Sequence, residues 1–273
     1  SQVKLNFGIY TSCNSYFANT YRRIIEKFDT AHEGMETWSK HAKSFGLGNF
    51  LGYDLPVGNR GLIPNANFYD QWYTAKNWTA TTTLSNAIGQ GEVITTPIQL
   101  ANMTATVANR GYYYTPHIVK KIKGKSLDPK FTTKHVTTID KKHFEPMVQG
   151  LFDVFENPGG TAFRSRVKGI EICGKTGTAQ NSTKINGATV KLTDHSIFIA
   201  FAPKDNPKIA IAVFVENGYW GSRWAAPIAT LMIEKYLNRE ISRKALEVKM
   251  FNGSLQDEYD RQLNDPEYHA ESR

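Results

Sequence analysis

Apolar residues follow helical spacing in several separate stretches of the chain. After Ser12 they recur at positions 17, 21, 24, 25 and 28, which predicts a helix that Asn14 or Ser15 would cap. Thr96 followed by Pro97 is typical of a helix start, because the proline lacks an N–H at a position where none is needed. Together, the periodic stretches and the capping residues predict further helices at about 36–45, 96–109, 140–155 and 224–237.

Short apolar runs predict strands, mostly in the second half of the chain. They lie at 118–122, 170–179, 196–202 and 208–215, and the turn residues at 204–207 predict that the last two pair as a hairpin. Residues 46–80 are rich in Gly, Asn, Pro and aromatic residues, so a long connection with little regular structure is expected there. This order of elements favours helices packed on an antiparallel sheet.

Composition narrows the class of protein. The chain has 273 residues, of which 40% are hydrophobic, so it can bury a substantial core. Its net charge is +8, but the basic residues are scattered and form no basic helix, which favours a solvated basic surface over a nucleic-acid footprint. The longest apolar stretches are about seven residues, against the roughly 20 that span a membrane.

The cysteines, histidines and glycines of the chain do not follow the patterns of metal, disulfide or nucleotide sites. Cys13 and Cys173 are too few for a disulfide framework, show no metal-ligand spacing and are interpreted as small buried hydrophobes. His135 and His195 have no metal-like companions. The glycines at 89 and 91 lack the phosphate-loop pattern, so neither a nucleotide nor another cofactor is expected.

The most specific chemical feature is Lys175-Thr176-Gly177 inside a predicted strand. Lys175 would place a positive charge on the face it shares with Gly177, where the missing side chain lets another molecule approach the backbone. Thr176 and Thr178 alternate with those residues and would need a twist to reach the same site. Lys-Thr-Gly is the third motif of penicillin-binding proteins and β-lactamases, after Ser-x-x-Lys and a Ser-x-Asn motif that the segment 12–14 supplies in the right order.

The middle of the chain resembles class B penicillin-binding proteins of the elongation type. The segments that carry the resemblance lie at 84–92, 95–101, 108–111, 160–162, 169–180, 194–203 and 216–229, within a region of about 7–238. The resemblance implies an α/β (α+β) fold of the transpeptidase and β-lactamase type, an antiparallel sheet flanked by helices that is incomplete at its N-terminus. It also implies a partial transpeptidase domain over 1–240, followed by a charged and weakly ordered tail over 241–273 that has room for one short helix.

The same resemblance implies roles for individual residues. Ser12 would relay protons, Asn14 would hydrogen-bond the substrate amide, and Lys175 would raise the local positive potential. Thr176, Gly177 and Thr178 would bind the substrate, with the Thr178 N–H as an oxyanion donor. The aromatic residues at 219–224 could form a wall of the substrate site or part of the core. Ser12 and Asn14 could instead serve only as a helix cap.

The nucleophile motif is the one departure from the family pattern. It should lie several dozen residues before Ser12, where this chain has eleven. Ser1-x-x-Lys4 matches at a free terminus, where a fixed helical turn is not expected. Ser165-x-x-Lys168 matches out of order in an apparent strand, where the two side chains would point to opposite faces. The sequence therefore predicts a truncated chain whose nucleophile lies upstream, and which is inactive alone.

The resemblance also implies a biological setting. The parent protein would be a peptidoglycan D,D-transpeptidase that acts on D-Ala-D-Ala stem peptides and is acylated by β-lactams. It would be anchored at the periplasmic face of the inner membrane by a helix outside this chain, in a cell-wall elongation complex and without nucleic acid. The alternatives are a non-catalytic module that binds stem peptides or partners, a β-lactam-hydrolysing or sensing relative, and a nucleic-acid-binding protein.

Overall fold

The computed structural model describes residues 3–73 and 77–263, which fall into two compact units, Ser1–Leu151 and Phe152–Arg273. The α-helices are α1 (Leu5–Tyr10), α2 (Asn14–Ile25), α3 (Ala31–Lys43), α4 (Ala66–Trp72), α5 (Pro97–Ala108), α6 (Phe144–Glu156), α7 (Ala225–Asn238), α8 (Lys244–Phe251) and α9 (Gln256–Leu263). The strands are β1 (Tyr112–Tyr114), β2 (Lys134–Val136), β3 (Cys173–Ile185), β4 (Ala188–Ala202) and β5 (Ile209–Val215). Within the described ranges, no helix combines the length and apolarity needed to cross a membrane.

Two helix starts in the first unit illustrate what a sequence pattern can predict. The Thr96 side chain accepts a hydrogen bond from the Gln99 backbone N–H, and the Gln99 side-chain oxygen accepts one from the Thr96 backbone N–H. The predicted start of α5 is therefore confirmed as a capping box. For α2 the position is confirmed, but the predicted cap is wrong. The N-cap residue is Cys13, with no side-chain cap hydrogen bond, and Asn14 is already the first helical residue.

The core of the first unit packs around α2, α3 and α4. Tyr21, Met35 and Tyr69 are among its buried side chains. The Tyr21 hydroxyl lies 2.9 Å from the Thr83 hydroxyl, and Asn86 donates to the Tyr69 hydroxyl at 2.8 Å. Burial raises the pKa of both tyrosines, so they stay neutral hydrogen-bonding groups. Helix α4, of seven residues, lies inside the stretch at 46–80 that was predicted to have little regular structure. The many glycines and prolines of that stretch had favoured an irregular connection.

The predicted strand at 118–122 is wrong. In this segment Ile122 makes only an isolated bridge with Lys125, and the backbone N–H groups of Ile118 and Val119 donate to the Asp54 carboxylate at 2.8–3.0 Å. A side chain therefore satisfies donors that a neighbouring strand would otherwise take. The strands that do form in this region are the antiparallel pair β1 and β2.

The second unit contains a three-stranded antiparallel sheet in the order β3-β4-β5. The predicted hairpin of β4 and β5 is confirmed, with Ala202 opposite Ile209 across the turn. Strands β3 and β4 are longer than predicted and continue as an exposed two-stranded ribbon up to Ile185 and Ala188. Their backbones remain paired beyond the apolar residues on which the prediction was based. Helix α7 packs on β4 and β5.

Two helices follow residue 243, where the sequence left room for one. Arg243 donates to the buried Glu234 carboxylate at 2.8 Å, which ties the start of α8 to α7. Glu258 on α9 accepts a hydrogen bond from the Trp224 indole at 3.0 Å. Buried carboxylates that face these donors help to hold a charged segment against the unit.

Candidate active site

The Ser12-Cys13-Asn14 segment forms the corner between α1 and α2. Ser12 adopts a left-handed conformation with φ of +58°, which a residue with a side chain rarely takes. Backbone bonds fix the corner, since the Ser12 N–H donates to Ile9 O at 3.2 Å and the Cys13 N–H donates to Gly8 O at 2.9 Å. Strain of this kind collects at functional sites. The corner leaves Ser12 partly exposed and Asn14 exposed.

A cleft of about 640 Å³ adjoins this corner in the first unit. Its lining includes Cys13, Ser15, Tyr16 and Arg23. Arg23 is exposed and supplies a cation to the lining of this cleft, a position that the sequence did not single out. The signal was present in the spacing, because residues 16, 19, 20 and 23 recur every three or four positions along α2.

The Lys-Thr-Gly motif lies on β3, which is an edge strand of the described three-stranded sheet. The register places Thr176 opposite Phe198, and Thr178 opposite Ser196. Residues directly opposite in an antiparallel pair share a face, so the two threonines lie on one face, with Lys175 and Gly177 on the other. The predicted alternation of these side chains is therefore confirmed.

Lys175 is a partly buried cation. Its Nζ donates to the Thr176 carbonyl oxygen at 2.9 Å. Burial lowers the pKa of Lys175 from 10.5 to about 8, because removing water disfavours the charged form. A lysine with this pKa is mostly charged at neutral pH and loses its proton readily just above it. Such perturbed groups are concentrated at active sites.

Thr176 is positioned by a second hydroxyl group. Its Oγ1 donates to Thr161 Oγ1 at 2.7 Å. Thr161 also lines an open cleft of about 670 Å³ within the second unit, together with Arg164, Trp220 and Arg223 among others. Sequence reasoning noted Thr161 only as part of the family resemblance, and the contact with Thr176 gives it a positioning role.

The loop after β5 lies directly on the motif strand, a contact that the sequence did not reveal. A Cβ atom placed on Gly221 would lie 2.5 Å from Gly177 O and closer still to Ile197 O. Only a glycine lets the two backbones approach this closely. The loop therefore covers the peptide groups next to Thr176 and Thr178, on the threonine face of the sheet.

Ser196 links the middle of this loop to the first residue of α7. It is fully buried, and its Oγ donates to Trp220 O at 2.9 Å while it accepts from the Ala225 N–H at 3.1 Å. The consecutive residues Asp194, His195 and Ser196 form no catalytic triad, because the serine binds backbone groups and the His195 Nδ1 accepts from the Asn217 N–H.

Replacing Ser196 with alanine is expected to destabilise the second unit by about 1–3 kcal/mol, because a buried donor and acceptor lose their shared partner. Urea unfolding measures this loss. Ser222→Ala changes an exposed hydroxyl in the same loop and is expected to leave the free energy of unfolding unchanged. Equal stability of the two variants would contradict the bracing role of Ser196.

The two formal nucleophile motifs in the chain differ in what the structure describes. Ser1 and Gln2 lie outside the described residues. Ser165 is the last residue of a short 3-10 helix. Its side chain is buried, whereas Lys168 is exposed. Ser165 and Lys168 thus share no accessible site.

The remaining reactive groups are two cysteine thiols. Cys13 is partly buried and Cys173 fully buried, and both are free thiols. Among the residues with described positions, no group of three metal-ligating side chains is placed to hold an ion.

Comparison with known proteins identifies the family. The family model for the penicillin binding protein transpeptidase domain matches residues 1–234. The chain belongs to the penicillin-binding protein transpeptidase family. Peptidoglycan D,D-transpeptidase MrdA of Haemophilus influenzae is similar to this transpeptidase chain, with 31% identity over 94% of the chain and 39% of the relative.

Solved structures of penicillin-binding protein 2 share the fold of this transpeptidase chain. The crystal structure of the Pseudomonas aeruginosa protein in complex with WCK 5153 has a TM-score of 0.70 and 31% identity, covering 89% of this chain and 51% of that one. The Helicobacter pylori protein in complex with MreC has a TM-score of 0.67 and 28% identity, covering 86% and 40%. The chain thus spans between about two fifths and one half of these relatives.

Proposed function

We propose that this transpeptidase chain supplies part of the active site of a peptidoglycan D,D-transpeptidase, whose nucleophilic serine lies upstream of residue 1. The observation that carries the proposal is the arrangement on β3, where a desolvated Lys175 adjoins a Thr176 fixed by Thr161. The family match over residues 1–234 supports it independently.

In the proposed reaction the serine oxygen attacks the carbonyl carbon of the penultimate D-Ala of a stem peptide. The peptide bond breaks, the terminal D-Ala leaves with a proton on its amine, and an acyl-enzyme remains. An amine of a second stem peptide then attacks the ester and releases the serine. β-Lactams enter the first step, because their strained amide occupies the place of the D-Ala-D-Ala bond, and they remain as stable esters.

Each predicted site residue has a role in this scheme. Ser12 passes the proton to the leaving amine, from a corner whose backbone is held by Ile9 and Gly8. Asn14 donates to the substrate amide from the exposed first turn of α2. Lys175 stabilises negative charge during acylation.

The strand residues after Lys175 bind the substrate. Thr176 and Thr178 lie on the face of β3 opposite Lys175, and a twist of the strand would bring their hydroxyl groups to the substrate carboxylate. The Thr178 N–H stabilises the oxyanion. The absent side chain of Gly177 leaves room for the peptide.

The setting of the parent protein is part of the proposal. We place it at the periplasmic face of the inner membrane, anchored by a helix outside this chain, and in a cell-wall elongation complex. The structure of a relative from Helicobacter pylori bound to MreC supports a complex with such a partner.

Intact-protein mass after incubation with penicillin tests the proposal. The full-length protein is expected to gain one acyl mass and this 273-residue chain none. No label on either protein would favour a non-catalytic module that binds stem peptides on the same scaffold. A label on the isolated chain would show that the upstream assignment of the nucleophile is wrong.

A further inference from the structure

A buried carboxylate on α9 binds two consecutive residues of the loop that follows β5. Glu258 is 4% exposed. Its Oε1 lies 2.9 Å from Arg223 Nε and 3.0 Å from Trp224 Nε1. A buried charge without partners is strongly unfavourable, so the carboxylate and these donors hold each other in place.

The loop held by Glu258 is the one that lies on the Lys-Thr-Gly strand. Two residues before Arg223, Gly221 packs against the backbone of Gly177. Contacts therefore run without a gap from α9, through the end of the loop, to the strand that carries the proposed catalytic lysine. Such a chain of packed groups can transmit the position of α9 to the active site.

The turn before α9 supports the same loop through apolar contact. A Cβ atom on Gly253 would lie 2.7 Å from two carbons of the Trp224 ring, so this turn lies directly on the indole. The Trp224 indole is thus contacted by the Gly253 turn and bonded by Glu258 through its nitrogen. Both contacts come from residues beyond 234, where the family match ends.

We propose that Glu258 is a positioning residue for the transpeptidase reaction. Through Arg223 and Trp224, α9 fixes the loop at 216–224 against β3, and thereby fixes the strand that binds the substrate carboxylate. The inference rests on the proposed function for its effect on acylation, whereas its effect on the loop is a separate measurement.

Glu258→Gln in the full-length protein tests the inference. The glutamine keeps the size of the side chain but removes the charge that pairs with Arg223. Acylation by a fluorescent penicillin is expected to slow about tenfold, because small displacements of binding groups are costly for rate. Amide hydrogen exchange across 216–224 is expected to accelerate by about tenfold or more, while exchange within α7 stays unchanged.

Gln256→Ala is the control on the same helix. Gln256 is exposed and its side chain donates to Asp260 of α9 itself, so its replacement should alter neither loop exchange nor acylation. Glu258→Asp is expected to recover part of the acylation rate, which general destabilisation of the unit would not predict. The thermal midpoint of each variant is measured alongside.

The outcomes separate the two proposals. Unchanged loop exchange in Glu258→Gln, or faster exchange with normal acylation, overturns the positioning role. A thermal midpoint that collapses in Glu258→Gln also overturns it, in favour of a plain stabilising contact. If the unmodified full-length protein is not acylated at all, the proposed transpeptidase function fails, and the exchange data alone decide whether Glu258 holds the loop.

Discussion

Replacing Lys175 with alanine is expected to slow penicillin acylation of the full-length protein about 100- to 1,000-fold, the range found when a charge-stabilising donor is removed from an active site. The effect is large because Lys175 is partly buried, where water screens its charge poorly. Second-order rate constants for acylation, from penicillin labelling quenched at a series of times, measure the loss. Lys184→Ala is the matched control, since Lys184 lies on the same strand but is exposed.

The pH dependence of acylation follows from the same lysine. Because burial lowers its pKa to about 8, the charge is present below that pH and is lost as the pH rises through it. Acylation by the unmodified protein is therefore expected to decline above about pH 8. In Lys175→Arg this decline should disappear, because a guanidinium stays charged throughout. If the acylation rate declined above pH 8 equally in both proteins, a group other than Lys175 would be responsible for the pH dependence.

As the pH rises above 8, the free energy of unfolding should increase while the rate of acylation decreases. The unfolded lysine has a pKa of 10.5 and the folded one about 8, so the unfolded state holds its proton more tightly. Burying the charged lysine therefore lowers the free energy of unfolding by its full amount below pH 8. This destabilisation decreases as the pH rises from 8 towards 10.5. Lys175→Met is expected to raise the free energy of unfolding at pH 7 by about 1–3 kcal/mol. Urea unfolding at pH 7 and at pH 10 measures both values.

The parts of the fold that the sequence predicted are those with a local cause. The start of α5 follows from Thr96, Pro97 and Gln99, which satisfy one another within four residues. The hairpin of β4 and β5 follows from a short turn between two apolar runs. In both cases the residues that make the decisive contacts are neighbours in the chain.

The errors occurred where a distant group decides the local structure. Ile118 and Val119 have the apolar character of a strand, yet the Asp54 carboxylate takes their backbone donors from 64 and 65 residues away. Likewise the burial of Glu258 could not be predicted from the sequence, because its partners Arg223 and Trp224 lie 35 and 34 residues before it in the chain.

For the candidate site, motif order was enough to find the reactive side chains but not their supports. Lys175 and Thr176 stand out as part of a tripeptide in a strand, and the structure confirms that strand. The hydroxyl of Thr161 and the approach of Gly221 could not be predicted, since both depend on how segments 15 and 44 residues away fold back. A glycine in a loop gives no signal of what it packs against.

Gly221→Ala is the simplest change expected to disrupt this packing. A methyl group there would meet the carbonyl oxygens of Gly177 and Ile197, and neither backbone can yield as a flexible side chain would. Overpacking of this kind costs about 1–3 kcal/mol, and the loop or β3 must shift by a large fraction of an ångström. Because misplacement near 1 Å can cost about 100-fold in rate, acylation is expected to fall by about that factor.

Two measurements distinguish displacement of the strand from loss of the fold. Gly221 does not have the left-handed backbone of several other glycines in the chain, so alanine adds a steric clash without conformational strain. Thermal unfolding should show a lowered but cooperative transition, while Ser222→Ala at the adjacent exposed position leaves both stability and acylation unchanged. Normal acylation by Gly221→Ala would mean that the loop can lift from β3 without moving Thr176 and Thr178, and Glu258 would then have no route to the active site.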